Sequence, residues 1–257
     1  MNLLDWSAWR MMTPVPYEGF HILMLIAGIP LSIWLAYLTR NLSIKAHIRL
    51  LQTLSFLLLL MELYKQIFSF VILNHGEYDW WILPFQLCSI PMYLCALLPL
   101  FHKLHTRLYE IVETFLMDFS VLGGCIALLF PDGLMHSYVT LTAHAFLWHF
   151  MLIFIGCHIG FSRFAHTTKA DFTATIPLFV ILILIAMGLN YMLKDFGEVN
   201  MFYISPYQPN TQPVFQTIRA LLGAYPTILI YLVCMCLGAF IVHKAFSYYQ
   251  KKQYLSS

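Results

Sequence analysis

Seven long apolar runs are the feature of this 257-residue sequence that most limits its fold. A helix needs about 20 mostly apolar residues to cross a bilayer, and it leaves no backbone group unpaired in lipid. Hydrophobic residues make up 60% of the chain and charged residues 10%, against about 25% charged in soluble domains. We therefore predict an all-α polytopic membrane protein, one domain over residues 1–257 with seven transmembrane helices. The predicted helices are roughly Phe20–Leu38, Ile48–Leu73, Ile82–Phe101, Leu108–Phe130, Tyr138–Phe161, Phe172–Leu193 and Ala220–Ala245.

Basic residues fall in alternate connections between the apolar runs. The first, third and fifth connections and the C-terminal tail carry Arg40, Lys45, Arg49, Lys103, Arg107, Arg163, Lys169, Lys244, Lys251 and Lys252. The second and fourth connections carry only acids, namely Glu77, Asp79 and Asp132. Because short cytoplasmic loops are enriched in Lys and Arg, the N-terminus is predicted outside and the C-terminus in the cytoplasm. The net charge of +2 is too small to indicate nucleic-acid binding.

Polar and ionisable side chains recur inside the runs, where they are costly and are therefore functional candidates. They are Glu62, Lys65, Gln86, Cys88, Glu113, Asp118, His144, His149, His158, Asn190 and Tyr191. At 1.5 Å per residue, several of them fall roughly 10–18 Å from the outer end of their helices. This depth is shared by Glu62, Lys65, Cys88, Asp118, His144 and His149. We expect this layer, drawn from four helices, to line a polar cavity that opens outward.

Local spacing gives three narrower expectations. Glu62 and Lys65 are three residues apart, share a helix face and can neutralise each other. That pair either locks helix packing, or it orients a catalytic histidine or binds a headgroup. Glu113 lies nearer the cytoplasm and is expected to pair with an interfacial base. Gly123 and Gly124 predict close contact between helices.

Cys88 lies between two prolines, Pro84 and Pro91, in the third run. Because proline removes a backbone hydrogen bond, this segment predicts a kinked helix with the thiol in its interior. A lone membrane cysteine is usually a small buried side chain. The alternative is a nucleophile whose proton passes to a base, and His149 is the candidate base.

The histidines do not indicate a cofactor. His144 and His149 are five residues apart and so lie on different faces of one helix. His144 and His158 share a face, but no other apolar run carries the matching histidine pair that a membrane haem needs. All six cysteines lie in apolar runs, away from the polar loops where disulfides form. We expect no metal and no cofactor.

Five segments together resemble a bacterial multi-pass membrane family that is related to human transmembrane protein 164. In chain order they are Leu83–Leu94 (LPFQLCSIPMYL), Gly123–Asp132 (GGCIALLFPD), His149–Ile153 (HFMLI), Leu189–Leu193 (LNYML) and Val199–Pro206 (VNMFYISP). The human relative is regarded as a phospholipid acyltransferase with a cysteine nucleophile. The resemblance implies that Cys88 is the nucleophile and His149 the base, with His144 as the alternative base. The supporting or substrate-binding residues would be Glu62, Lys65, Gln86, Asp118, Asn190 and Tyr191.

The leading hypothesis is therefore a membrane-embedded lipid acyltransferase or transacylase in a bacterial plasma membrane. Its partners would be phospholipids or lysophospholipids, and an outward-opening site would take its acyl chain from another membrane lipid. A proton-coupled transporter or lipid-binding sensor, using Glu62, Lys65 and Asp118, is the alternative. An assembly factor without small-molecule chemistry is the third possibility. The Tyr- and Pro-rich connection Lys194–Gln216 is either a lid over the site or a passive surface loop.

Overall fold

The computed structural model describes residues 4–131 and 133–256, so Asp132 lies outside the described residues. Within them, seven helices are long and apolar enough to cross a membrane, which confirms the predicted fold class. The helices are α1 (Gly19–Leu38), α2 (Ile44–Phe68), α3 (Ile90–Leu104), α4 (Thr106–Leu129), α5 (Val139–Ser162), α6 (Lys169–Met192), α7 (Pro213–Leu222) and α8 (Ala224–Ser256). All of them except α7 belong to a membrane span.

Two helices form the centre of the bundle. The spanning windows of α4 and α5 are 67% and 72% buried, whereas those of α1, α2, α6 and α8 are 17–22% buried. The outer helices therefore carry the side chains that face lipid, such as Phe56, Leu184 and Ile241. An exposed apolar surface of this kind is stable only in a bilayer.

The two central helices approach each other at glycines. A Cβ atom added at Gly124 would lie 2.9 Å from the carbonyl oxygen of His149, and one added at Gly156 would lie 2.7 Å from that of Met117. Only glycine leaves room for such backbone contact. The predicted close contact is thus confirmed for Gly124. It is wrong for Gly123, where an added Cβ would meet nothing within 4 Å.

The start of the third span differs from the prediction of a kinked helix from Ile82 onward. Leu83 is extended, as expected for a residue before proline. Cys88 lies in a short 3₁₀ turn, Leu87–Ser89, and α3 begins only at Ile90. Pro91 occupies the first turn of α3, where its missing N–H costs nothing. The prolines therefore delay the helix rather than kink it.

The last predicted span, Ala220–Ala245, is also wrong in its boundaries. The chain breaks at Gly223, whose φ of +81° favours glycine. Before it, α7 is a separate short helix, and after it α8 runs from Ala224 to the end of the described chain. The predicted loop after α6 thus ends in a helix.

The two ends of the bundle are called the N-terminal face and the basic face. The N-terminal face holds residues 4–18, the starts of α3 and α5, and the connection from α6 to α8. The basic face holds the connections between α1 and α2, α3 and α4, and α5 and α6, with residues such as Arg40, Lys103 and Arg163. Assignment of the basic face to the cytoplasm stays a prediction.

Candidate active site

Cys88 lies half-buried at the N-terminal end of the third span, in a turn that packs against α4. The indole Nε1 of Trp148 on α5 donates to the Cys88 carbonyl oxygen at 3.1 Å. The Ser89 hydroxyl contacts the thiol, and the charged side chains that interact with it are Lys65 and Glu62. The 3₁₀ turn that carries Cys88 is therefore tied to α5, with charges from α2 close by.

His149, the next residue after Trp148, is buried and has a defined tautomer. Its Nδ1 lies 2.7 Å from the carbonyl oxygen of Ala145. A carbonyl can only accept, so Nδ1 carries the proton and Nε2 is an acceptor in the neutral ring. The Lys65 ammonium lies within electrostatic range of both His149 and Cys88, although the thiol and the ring share no direct hydrogen bond among the described contacts.

The predicted pairing of Glu62 with Lys65 is confirmed, with Lys65 Nζ 2.8 Å from Glu62 Oε1. Gln66, which the sequence reasoning missed, donates to the same oxygen at 2.7 Å and also to the Ile82 carbonyl. The Tyr78 hydroxyl donates to Gln66 Oε1 at 2.9 Å. Burial and the nearby Glu62 raise the pKa of Tyr78, so it remains a donor. A buried carboxylate is stable when it is paired in this way. The Glu62 side chain is therefore held in one position at the edge of the site.

His144 lies one helical turn from Trp148 on α5. Its ring stacks on the Trp148 indole with centroids 5.6 Å apart. Its Nε2 is buried and has no hydrogen-bond partner among the described residues. Lys65 also interacts with this ring. The alternative base therefore shares a face of α5 with the residue that binds the Cys88 carbonyl.

Gln86 and Asn190 hold the backbone of the connection after α6. Gln86 donates to the Asn200 carbonyl at 3.1 Å and accepts from the Phe202 N–H at 2.8 Å. Asn190 donates to the Met201 carbonyl at 3.1 Å and accepts from the Met201 N–H at 2.6 Å. Each amide side chain thus binds both a donor and an acceptor of the main chain. Both side chains therefore stabilise the position of this connection.

The segment Val199–Pro206, called the cover below, packs over the start of α3. Met201 and Phe202 are buried, and the Phe202 ring stacks on Phe85 with centroids 5.8 Å apart. Of the two expectations for this connection, a passive surface loop does not fit such burial. Tyr231 on α8 lies near both Tyr203 of the cover and Cys88. No local signal in the sequence pointed to Tyr231.

Two of the candidate residues lie away from Cys88. Tyr191 is 60% exposed, and its ring faces the Lys194 ammonium 4.7 Å away. Asp118 is fully buried and pairs with His243 on α8, with 2.9 Å between Oδ2 and Nδ1. His243 in turn bonds the Thr168 carbonyl at the basic face. The expected polar layer therefore holds groups from α2, α5 and the start of α3, while Asp118 belongs to another cluster.

A second buried cluster lies near the basic face and joins four helices. The Thr39 hydroxyl donates to the Ala36 carbonyl, so it accepts from His158 Nδ1 at 2.8 Å. His158 Nε2 then accepts from His47 Nδ1 at 2.9 Å. One proton remains to be shared between His47 Nε2 and Glu113 Oε1, which are 2.7 Å apart. Glu113 thus pairs with a base, as expected, but that base is fully buried. We call this cluster the histidine chain.

Metal coordination has no obvious place in these clusters. Among residues 4–131 and 133–256, no group of three or more His, Cys, Asp or Glu side chains is arranged to hold a metal ion. All six cysteines are free thiols.

Comparison with curated protein sequences and with solved structures returned no match. The sequence model of the TMEM164 family matches residues 14–244, which include every site residue described above. That span confirms the resemblance inferred from the ordered motifs. The chain belongs to the TMEM164 family.

Proposed function

We propose that the protein is a lipid acyltransferase or transacylase that moves a fatty acyl chain between phospholipids through a thioester on Cys88. The observation that carries this proposal is the hydrogen bond from Trp148 to the Cys88 carbonyl. It ties the turn that carries the half-buried Cys88 thiol to the helix that carries His149, whose Nδ1 is bound to Ala145 so that Nε2 is the acceptor of the neutral ring. A nucleophile beside an oriented base is the arrangement that acyl transfer needs. Membership of the TMEM164 family and the resemblance to the human acyltransferase support the same chemistry.

In the first half-reaction, His149 Nε2 takes the thiol proton while Cys88 Sγ attacks the ester carbonyl of the donor phospholipid. Negative charge develops on the carbonyl oxygen, and the Lys65 ammonium supplies positive charge nearby. The ester C–O bond then breaks, and the departing lysophospholipid oxygen takes the proton back from His149. Because the thiol contacts Ser89 rather than His149, the first transfer requires rotation of the Cys88 side chain or one bridging water.

The second half-reaction reverses these steps with a different alcohol. The hydroxyl of an acceptor lysophospholipid gives its proton to His149 Nε2 and attacks the thioester carbonyl. The C–S bond breaks, the acyl chain leaves on the new ester, and the proton returns to Cys88. No cofactor enters the balance, since donor and acceptor supply all the atoms exchanged.

The position of Cys88 determines the acyl donor in this proposal. Cys88 lies at the N-terminal face, and the basic loops predict that this face is extracytoplasmic. Acyl-coenzyme A is a cytoplasmic donor and would not reach it. The donor is then a phospholipid of the outer leaflet, in a plasma membrane, and the enzyme is a transacylase.

The test is an intact-mass measurement on purified protein incubated with phospholipid, without lysophospholipid to accept the chain. We expect a fatty-acyl mass increment on wild type that hydroxylamine removes. Cys88→Ala should lose the increment. Cys125→Ala should keep it, since Cys125 is also a half-buried free thiol within the membrane. Absence of the increment from wild type would overturn the proposal.

The identity of the base is tested in the same assay. We expect His149→Ala to abolish the thioester and His144→Ala to leave it in place, because the family resemblance assigns the base to His149 and Ala145 fixes its ring. The reverse result would transfer the role of base to His144.

A further inference from the structure

Two cavities lie one beneath the other along the contact between α2 and α5. The cavity at the N-terminal face has a volume of about 450 Å³, and its lining includes Asp5, Arg10, Val71, Ile72, His75 and Tyr138. The deeper one has a volume of about 310 Å³, and its lining includes Leu60, Met61, Tyr64, Ala143, His144 and Leu147. Tyr64 and Ile72 are eight residues apart on one continuous helical segment, so the two levels differ by about 12 Å. We call this pair of cavities the seam.

The N-terminal segment of the chain separates the two cavities. The Tyr64 hydroxyl donates to Ser7 Oγ at 2.9 Å, and the Thr140 hydroxyl donates to the Ser7 carbonyl at 3.0 Å. An isolated bridge pairs Arg10 with Tyr138, and the Arg10 guanidinium lies over the Tyr138 ring. These contacts fix an exposed cation at the mouth of the upper cavity. The boundary between the cavities is therefore polar, and it is built from α2, α5 and residues 4–10 together.

The seam has the chemical profile of a glycerophospholipid. The upper cavity presents a guanidinium, which binds phosphate well, at the level of the membrane interface. The lower cavity is mostly apolar and opens on the lipid-facing surface, where Leu60 and Leu147 are 47% and 51% exposed. A headgroup-sized space that carries charged side chains, directly above a mostly apolar groove, suits a lipid better than a water-soluble ligand.

The lower cavity also leads toward the proposed nucleophile. His144 lies in its lining, with the buried Nε2 that lacks a partner among the described residues. The His144 ring stacks on Trp148, and Trp148 holds the Cys88 carbonyl. The groove therefore reaches His144, which shares a face of α5 with the residue that binds the Cys88 carbonyl.

We propose that the seam binds one diacyl glycerophospholipid of the leaflet at the N-terminal face. Arg10 contacts its phosphate, and one acyl chain lies in the groove between Met61 and Leu147. The lipid reaches the site laterally, between α2 and α5, rather than from the aqueous phase. Delivery of its ester to Cys88 rests on the proposed acyl transfer, whereas occupation of the seam does not.

The test uses phosphatidylcholine with a photoreactive diazirine in one acyl chain, in vesicles that contain the purified protein. After illumination, cross-linked peptides are mapped by mass spectrometry. We expect the cross-links to concentrate on the α2 and α5 peptides that carry Leu60–Tyr64 and Ala143–Leu147. Cross-links spread evenly over the lipid-facing surfaces of α1, α6 and α8 as well would overturn the proposal.

Variants separate the seam from ordinary lipid contact. Ala143→Trp fills the groove and should reduce the seam cross-link about tenfold, because the chain loses contact with several methylenes. Leu184→Trp on lipid-facing α6 is the matched control and should leave the seam cross-link unchanged. Arg10→Ala should also weaken it, whereas Lys194→Ala, which removes another cation at the same face, should not. Equal effects of each variant and its control would overturn the assignment.

Cys88→Ala distinguishes this proposal from the proposed function. Its seam cross-link should equal that of wild type, because binding in the seam does not use the thiol. Seam cross-linking in wild type without any thioester would refute the acyl transfer and leave the lipid site standing. A thioester in wild type without preferential cross-linking at the seam would refute the seam and leave the acyl transfer standing.

Discussion

The contact between α4 and α5 at Gly124 gives a prediction that does not depend on the chemistry. In Gly124→Ala the new Cβ would lie 2.8 Å from Ile153 Cγ1 and 2.9 Å from the His149 carbonyl oxygen. Ordinary contact begins at 3.4 Å, so the helices must separate by about 0.5 Å at His149, whose backbone cannot rotate away. Overpacking of this kind costs about 1–3 kcal/mol of the free energy of unfolding.

The adjacent glycine is the matched control. A Cβ at Gly123 meets nothing within 4 Å, so Gly123→Ala should gain about 0.5–1 kcal/mol from the better helix propensity of alanine. Reversible unfolding in mixed micelles, followed by tryptophan fluorescence, measures both variants against wild type. We expect Gly124→Ala below wild type and Gly123→Ala at or above it. If Gly124→Ala is as stable as Gly123→Ala, the close crossing at His149 is wrong.

Three further substitutions test separate contacts. Trp148→Phe keeps a ring in place but removes the donor to the Cys88 carbonyl, and thioester formation should slow about 10- to 100-fold in the intact-mass assay. Gln86→Leu leaves two buried main-chain groups of the cover without partners, at about 1–3 kcal/mol each, and amide hydrogen exchange of the cover should accelerate. Glu113→Leu removes the acid that pairs with His47 and should lower the free energy of unfolding by about 3–5 kcal/mol. Glu113→Gln should cost less, since its amide still bonds the ring.

Each of these substitutions has a control of the same type at an exposed position. Trp34→Phe faces lipid, and Gln216→Leu and Glu77→Gln lie at the surface of the N-terminal face. We expect normal thioester formation, hydrogen exchange and stability, respectively, from the three controls. An effect of the same size in the control would show that the assay reports general damage rather than the loss of the stated contact.

The sequence alone predicted those features of the fold in which one local physical effect dominates. Hydrophobic run length located the seven spans because lipid tolerates little else over 30 Å. Spacing of three residues paired Glu62 with Lys65, since both partners lie on one helical turn. The order of the motifs identified the family, although each motif by itself is short.

The sequence was uninformative where partners are distant in the chain. His243 pairs with Asp118 across 125 residues, and His47 pairs with Glu113 across 66. Neither pair has a periodic signature. The sequence therefore placed Asp118 in the layer with Cys88, and it predicted a basic partner for Glu113 without identifying that partner. The seam was invisible for the same reason, because it needs residues 4–10 to lie against α2 and α5.

The start of α3 shows a different limit. Hydropathy treats Ile82–Ser89 as helix because the residues are apolar, yet two prolines disfavour helix there. A non-helical backbone at the membrane surface is stable only when other groups satisfy it or cover it. Here that role falls to the cover, which lies more than 100 residues later and is bound through Gln86.

The side-chain amides that hold the cover lie earlier in the chain than the cover itself. The contacts between them can therefore form only late in synthesis. Gln86 leaves the ribosome long before Asn200 and Phe202, the residues whose main chain it binds. The segment around Cys88 therefore enters the bilayer without its final partners and waits while three more spans are inserted. A nascent chain that stops after α5 already contains Cys88 and His149, yet it lacks the cover that packs over the start of α3. Maturation of this site is thus a late event in biogenesis.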